Sequence, residues 1–419
     1  TNTIVADIAL DIQQGTFGSE IGDNDFTHGF DVQRTRLDFY GNLIIPNFTY
    51  RISGDFGSAV NGNTGNFAAT WVYGQYNFEG SLEGAFARLG IFKAPLFYEE
   101  LVAPEFQLFA ERSLVNEFFS QQYSEGLMLG YEADSFRAFL AITDGLSTRG
   151  TRFDQPVALN GFGGESDIAV TARADVKLAG DWNQFDDFSS FRGSEFAARV
   201  GAAIHYESYG ETNPSMRNSA AAALPRWYAA VGAQAASGGA APIVEDGDII
   251  AYTFDAQVEG NGWGAFAAFY GRYEEAEVSN AIASNYLDRL NIEEDTNDFG
   301  VVVQGSYFVT DQIELFARYE GLFLDEDRYG ILGDAANIEE NLHFATFGGA
   351  YYFVPESQAL KFTTDVIVAF EETTALFITP TGGQGGNTLT GSGAASVTGL
   401  LGQTDDTEVV VRAQFQMLF

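Results

Sequence analysis

Basic residues in this chain fall where polar and apolar positions alternate. Arg34, Arg36, Arg51, Arg88, Arg137, Arg173, Lys177, Arg199, Arg272, Arg318, Lys361 and Arg412 each take the polar side of such a segment. Asp7, Asp11, Asp38, Asp55, Asp175, Glu207, Glu314, Glu320, Asp365 and Glu408 share those polar sides. Rows of guanidinium and carboxylate on one surface have two uses: opposed across a water-filled bore they set a field that selects among ions, or on adjacent strands they pair and brace the wall. Other chemistry is poorly served. His28, His205 and His343 sit in no metal or nucleophile motif, and the glycines of Gly260-Asn-Gly-Trp-Gly264 belong to a turn with no helix to meet a phosphate. No enzymatic constellation emerges.

Strands must position these charges. Val409, Val411, Ala413, Phe415, Met417 and Phe419 share one face of the last segment, opposite Arg412, Gln414 and Gln416. Apolar residues outward against lipid and polar residues inward is the pattern of a closed transmembrane barrel. Thr3 to Gln13 alternates in the same way, and sixteen such segments can be read, the others near 29–43, 48–56, 68–78, 84–93, 123–132, 136–144, 167–177, 196–208, 248–259, 263–273, 298–309, 312–323, 342–353, 360–371 and 407–418. Tight turns near Pro46, Asp134, Asn261, Asp311 and Pro355 alternate with long connections, so the short turns fall on one side and the long loops on the other. Segment 179–195 breaks the rule, being Asp/Phe-rich and too long for its side. The expected fold is all-β: a single 16-stranded antiparallel transmembrane barrel spanning 1–419, with an inward-folded loop at 94–122 and long external loops at 145–166, 209–247, 274–297, 324–341 and 372–406.

Composition agrees. Mean hydropathy is -0.06, and no apolar run approaches the ~18 residues of a spanning helix. The chain carries 38 Phe, 19 Tyr and 47 Gly but only 9 Pro, as many short strands with glycine turns require. Cysteine is absent. A net charge of -37 excludes nucleic acid as a partner, because no surplus of Lys and Arg exists to neutralise phosphates. The start carries no charged, apolar secretory segment, so we expect a signal peptide already removed.

Four stretches carry a family resemblance: Phe30-Asp-Val-Gln-Arg-Thr-Arg-Leu-Asp-Phe-Tyr-Gly41, Tyr50-Arg-Ile-Ser-Gly-Asp-Phe56, Leu89-Gly-Ile-Phe-Lys-Ala-Pro95 and Phe109-Ala-Glu-Arg-Ser113. Their order and spacing resemble the phosphate-selective porin O/P family of Gram-negative outer membranes, by motif over the first third and by strand pattern beyond it. The resemblance implies a homotrimer in outer-membrane lipid and lipopolysaccharide, with loop 94–122 folded into each lumen to narrow it. The chain departs from that family in its acidity and its three lysines, Lys93, Lys177 and Lys361.

The expected pore-lining and constriction set is Arg34, Arg36, Asp38, Arg51, Asp55, Arg88, Lys93, Glu99, Glu100, Glu105, Glu111, Arg112, Arg137, Arg173, Arg199, Arg318 and Arg412. Glu99, Glu100, Glu105 and Glu111 would face Arg34, Arg36, Arg51, Arg88 and Arg137 across a constriction, although Glu111 and Arg112 serve equally to anchor the loop. Acidic clusters in the loops offer oxygen ligands, and Asp325 and Asp327 are candidate Ca²⁺ ligands. Tyr329 and Ala336 nonetheless stand where an EF-hand loop wants oxygen donors. Three functions follow from a closed barrel: passive diffusion of small hydrophilic solutes and ions, an anion- or phosphate-selective channel, or a structural or adhesive surface barrel with a plugged lumen.

Overall fold

The computed structural model describes residues 3–17, 27–56, 68–146, 164–212, 244–278, 295–326, 339–371 and 407–419. Strands are β1 (Thr3–Phe17), β2 (Thr27–Asn42), β3 (Phe48–Asp55), β4 (Ala68–Asn77), β5 (Ala85–Phe92), β6 (Ser124–Glu132), β7 (Phe136–Thr143) and β8 (Gly164–Ala179). The series continues with β9 (Ala197–Thr212), β10 (Val244–Gly260), β11 (Trp263–Val278), β12 (Asp295–Phe308), β13 (Ile313–Phe323), β14 (Asn341–Tyr352), β15 (Leu360–Ala369) and β16 (Glu408–Leu418). Each pairs antiparallel with its neighbours in sequence, and β1 pairs with β16 from Asp7 opposite Leu418 to Phe17 opposite Val409, so the sheet closes. Closure satisfies every strand edge, the condition for β-structure in hydrocarbon.

The alternation sorts as the sequence requires. Leu89, Leu129, Ile204, Phe254, Val303 and Phe347 are exposed on the outer face, where lipid covers them. Near the end that carries the short turns, Tyr131 packs on Phe136, Tyr351 on Phe353 and Phe353 on Phe415, the aromatic girdle of a membrane interface. β8 to β11 run for 16 or 17 residues, beyond the ~9–11 that cross a bilayer, so they project past it as walls for the long loops. Their added length takes in residues 164–166, 209–212, 244–247 and 274–278, which sequence alone places in loops.

Ile204 lies mid-strand on β9 and is 57% exposed. Ile204→Arg should therefore cost about 2–4 kcal/mol in a bilayer. Urea unfolding from lipid vesicles measures it, and an unchanged midpoint would count against a lipid-facing Ile204.

Candidate functional site

Two segments turn into the barrel. The first, 93–123, joins β5 to β6 and contains two short helices, α1 (Tyr98–Leu101) and α2 (Leu114–Phe119). It holds itself together around buried charge. Lys93 Nζ donates to Glu100, whose other carboxylate oxygen accepts from Asn116 Nδ2 at 2.7 Å and Ser120 Oγ at 3.2 Å. Arg112 donates to the carbonyls of Glu99 at 3.2 Å and Val102 at 2.8 Å. Glu99 accepts from the amide and hydroxyl of Ser113, both at 2.6 Å, and the Ser113 hydroxyl in turn caps α2 by accepting from Asn116 N at 2.9 Å. The Gly-x-Phe-Lys-x-Pro and Glu-Arg-Ser stretches are thus the fasteners of this loop.

Charged side chains of the far wall then hold its backbone. Asp365 on β15 accepts from Ala110 N at 3.0 Å, and Glu320 on β13 accepts from the amides of Leu114 and Val115. Lys361 donates to the carbonyls of Glu105 (3.0 Å) and Gln107 (2.9 Å), Arg318 to those of Glu111 and Arg112 at 3.3 Å, and Arg173 to that of Leu96 at 2.8 Å. Glu111 meets Arg34 at 2.7 Å and Glu105 lies 3.8 Å from Arg36, so both carboxylates seat the loop on β2. Gly300 on β12 has no room for a side chain, since a Cβ there would lie 2.5 Å from Val115 and 2.8 Å from Phe119 of α2.

The second inward segment is 180–196, between β8 and β9, whose length the turn rule left unexplained. After a 3-10 turn over Trp182–Asp186 it enters the lumen from the short-turn end. Phe188 stacks near Phe266, Phe191 near Phe308 and Tyr352, and Ser189 bonds to Glu314 and Tyr352. It meets the first segment there: Tyr98 OH donates to Phe185 O at 2.5 Å, and Phe188 N to Phe106 O at 3.3 Å. Phe185, Phe188 and Phe191 at three-residue spacing were the missed signal, because aromatics in a solvent turn need somewhere to be buried.

Beside this junction lies a quartet. Arg173 bonds Asp175 and Asp255, and Arg199 bonds Asp255 at 2.6 Å with its guanidinium 3.1 Å from the Tyr98 ring centre. Gly201 faces it, and a Cβ would lie 2.2 Å from Asp175 Oδ1. Asp365 takes both bonds of Arg412, and Asp55 pairs with Arg36.

Residues expected to line a pore therefore divide. All the strand members point inward, but Arg34, Arg36, Arg173, Arg199, Arg318 and Arg412 are at most 6% exposed, as are Lys93, Glu99 and Glu100. The expected facing of loop acids across open water is corrected at three wall positions. Arg51, Arg88 and Arg137 meet no loop carboxylate, because the loop crosses to the opposite wall. Arg51 pairs with Asp38 on the neighbouring strand and lies 4.9 Å from the Trp71 ring, and Arg88 and Arg137 stand 4.3 Å from Tyr73 and Trp182. Inward residues of β3 to β7 keep part of their surface toward the short-turn end, at Arg51, Trp71, Tyr73, Gln75, Arg88 and Arg137, but are buried toward the long-loop end, at Ser53, Asp55, Thr70, Phe92, Ser124 and Thr143; those of β8 to β16 are buried almost throughout. His205 is fully buried between Thr171 and Glu207. Asp325 accepts from Asn297 N at 2.8 Å, while Asp327 lies outside the described residues.

Among the acids of the inward segments with raised pKa values are Glu117 and Asp187. Burial, then the charge of Glu100, lifts Glu117 from 4.5 to about 7, although it keeps partial contact with solvent. Burial, then Glu259 and Glu314, lifts Asp187 well above its ordinary value. Protonation thus favours the seated segments: the Glu117 contribution is complete below about pH 4.5 and is lost as pH rises through about 7.

No family model and no curated protein sequence matches the chain. Its fold matches solved outer-membrane structures. These include OmpT of Vibrio cholerae (TM-score 0.54, 11% identity, covering 100% of this chain and 98% of that one) and the outer membrane channel DcaP of Acinetobacter baumannii (0.55, 12%, 99% and 97%). OprB of Pseudomonas putida is similar at 0.55 and 10% identity, covering 100% and 94%. At these identities the likeness is one of fold.

Two outcomes follow. Asp365→Ala removes both carboxylate bonds to buried Arg412 and the acceptor of Ala110 N, so it should destabilise the barrel by about 3–5 kcal/mol in denaturant unfolding. Raising pH from 5 to 8 should loosen the seated loop, read as faster limited proteolysis within 94–122; Glu117→Gln should flatten that profile.

Proposed function

We propose that this protein is an outer-membrane channel for passive diffusion of small hydrophilic solutes and ions, with no enzymatic activity, whose water path runs along β3 to β7. One observation carries the reading: the lumen is least filled beside the short-turn half of β3 to β7. Arg51, Trp71, Tyr73, Gln75, Arg88 and Arg137 point inward and keep surface, and a cavity of about 680 Å³ opens beneath them between β4, β5 and β6. Three guanidiniums along this wall favour anions locally, whatever the net charge of the chain.

The phosphate-selective O/P reading is the weaker form of the proposal. Lys93 and Lys361, two of three lysines, are spent on holding the loop and offer no ladder to a phosphate. A plugged surface barrel is the second reading, favoured by the two segments that meet in the lumen. The family resemblance further suggests a homotrimer in lipid and lipopolysaccharide, and Ca²⁺ at acidic loops including Asp325 and Asp327.

Planar-bilayer recording separates the two readings. A conducting, salt-dependent channel of smaller conductance than an unobstructed sixteen-stranded barrel is expected, with a reversal potential toward anions under a KCl gradient. Arg88→Glu should lower the anion-to-cation permeability ratio several-fold; folded protein that never conducts would establish the plugged barrel.

A further inference from the structure

We propose that the cavity at the short-turn mouth of the barrel is a binding station for small zwitterionic solutes, amino acids and short peptides, with the solute carboxylate on Arg88 and its ammonium on Glu132. The inference rests on the channel reading for its biological sense, but not for its chemistry.

Arg88 is unlike the other arginines. Each of the others described has a carboxylate within 4 Å. Arg88 instead lies against rings, 4.3 Å from Tyr73 and 5.3 Å from Phe86, while its Nε donates to Gln75 Oε1 at 2.9 Å. These contacts fix the plane of the guanidinium and occupy its Nε, leaving the two terminal nitrogens as a fork toward the cavity. A fork held in place without a partner matches a carboxylate bidentately, and little side-chain entropy is lost on binding.

The other end of the cavity is acidic. Glu132, at the end of β6, has its side chain 44% exposed, and its nearest cation, Arg137, stands 3.7 Å away, drawn over the Trp182 ring. Glu83 and Asp134 line the same cavity, Asp134 with Lys177 at 3.3 Å. With Arg137 and Lys177 beside two of the three carboxylates, charges of both signs border the cavity, a pattern that suits a solute carrying one charge of each sign.

Register sets the length. Arg88 lies opposite Met128, four residues before Glu132, so the two Cα positions are offset by about 13 Å along the strand. Arg88 is the longer side chain and covers part of that offset. An extended chain spans about 3.3–3.6 Å per residue and each charged end adds a hydrogen-bond length, so an amino acid or a short peptide bridges the remainder. Asn77 and Gln75, bonded to each other, form part of the polar lining, and about 680 Å³ accommodates the solute.

The test uses triglycine, triglycinamide, N-acetyltriglycine, free glycine and inorganic phosphate as blockers of KCl current through the full-length protein. Triglycine should interrupt current at a concentration at least fivefold below triglycinamide, N-acetyltriglycine and inorganic phosphate, and free glycine should share that advantage over phosphate. Arg88→Gln should erase its advantage over triglycinamide, and Glu132→Gln its advantage over N-acetyltriglycine. A conducting channel on which all the probes act alike, or on which phosphate acts most strongly, overturns the station. Calorimetry of triglycine with the detergent-solubilised barrel judges it without conductance: heat lost in Arg88→Gln supports it even if the channel reading fails, and no heat from the unsubstituted protein overturns it.

Discussion

A loop inside a barrel poses a hydrogen-bonding problem that the barrel's own backbone cannot solve. Every strand amide and carbonyl is committed to the ladder that closes the sheet, so the amides and carbonyls of the inward loop have only side chains or water to meet. Here the far wall supplies the side chains. Asp365 and Glu320 take loop N–H groups, while Lys361, Arg318 and Arg173 donate to loop carbonyls; Gln414 donates to a further one, of Ala110, and Gln416 joins Lys361 at that of Glu105. A charged side chain is the stronger partner for a backbone dipole, and its burial is tolerable only when a counter-charge stands beside it. That is why the wall carries alternating acid and base: Arg412 beside Asp365, Arg318 beside Glu320.

This explains what the sequence could and could not convey. Strand number, facing and closure were legible because lipid on one side and polar groups on the other impose a period of two on every segment. Boundaries moved by several residues at β8 to β12, where alternation continues beyond the bilayer and the lipid constraint no longer marks its edge. The inward direction of Arg318 or Asp365 was equally legible. Their occupation by loop backbone was not, because an arginine facing water and one facing a carbonyl occupy the same place in an alternating pattern. Glu111 and Arg112 were readable as anchors only because they sit in the loop itself.

The segment after β8 illustrates a different limit. Its length was visible as an anomaly, but its direction depends on partners on β11, β12 and β14, among them Phe266, Phe308 and Tyr352. No local rule relates Phe188 to residues some eighty to one hundred and sixty positions away. The aromatic content of the segment was the local trace of that burial, since exposed aromatics gain nothing in water.

Together the two segments make the barrel asymmetric, and the asymmetry governs its electrostatics. On the filled side, charges are paired within a few ångströms and their fields largely cancel. On the wet side, Arg51 is paired with Asp38, Arg137 only loosely with Glu132, and Arg88 has no carboxylate within 4 Å, while Glu83, Glu132 and Asp134 line the cavity at the foot of that wall. A solute in a narrow water path responds to the charges within about a Debye length, roughly 8–10 Å at physiological salt, and not to the sum over the molecule. The net charge of -37 is therefore a poor guide to what passes. Many of the surplus acids belong to the connecting loops of the sequence, whereas the path itself is bordered by Arg51, Arg88 and Arg137 and by the few carboxylates beside them.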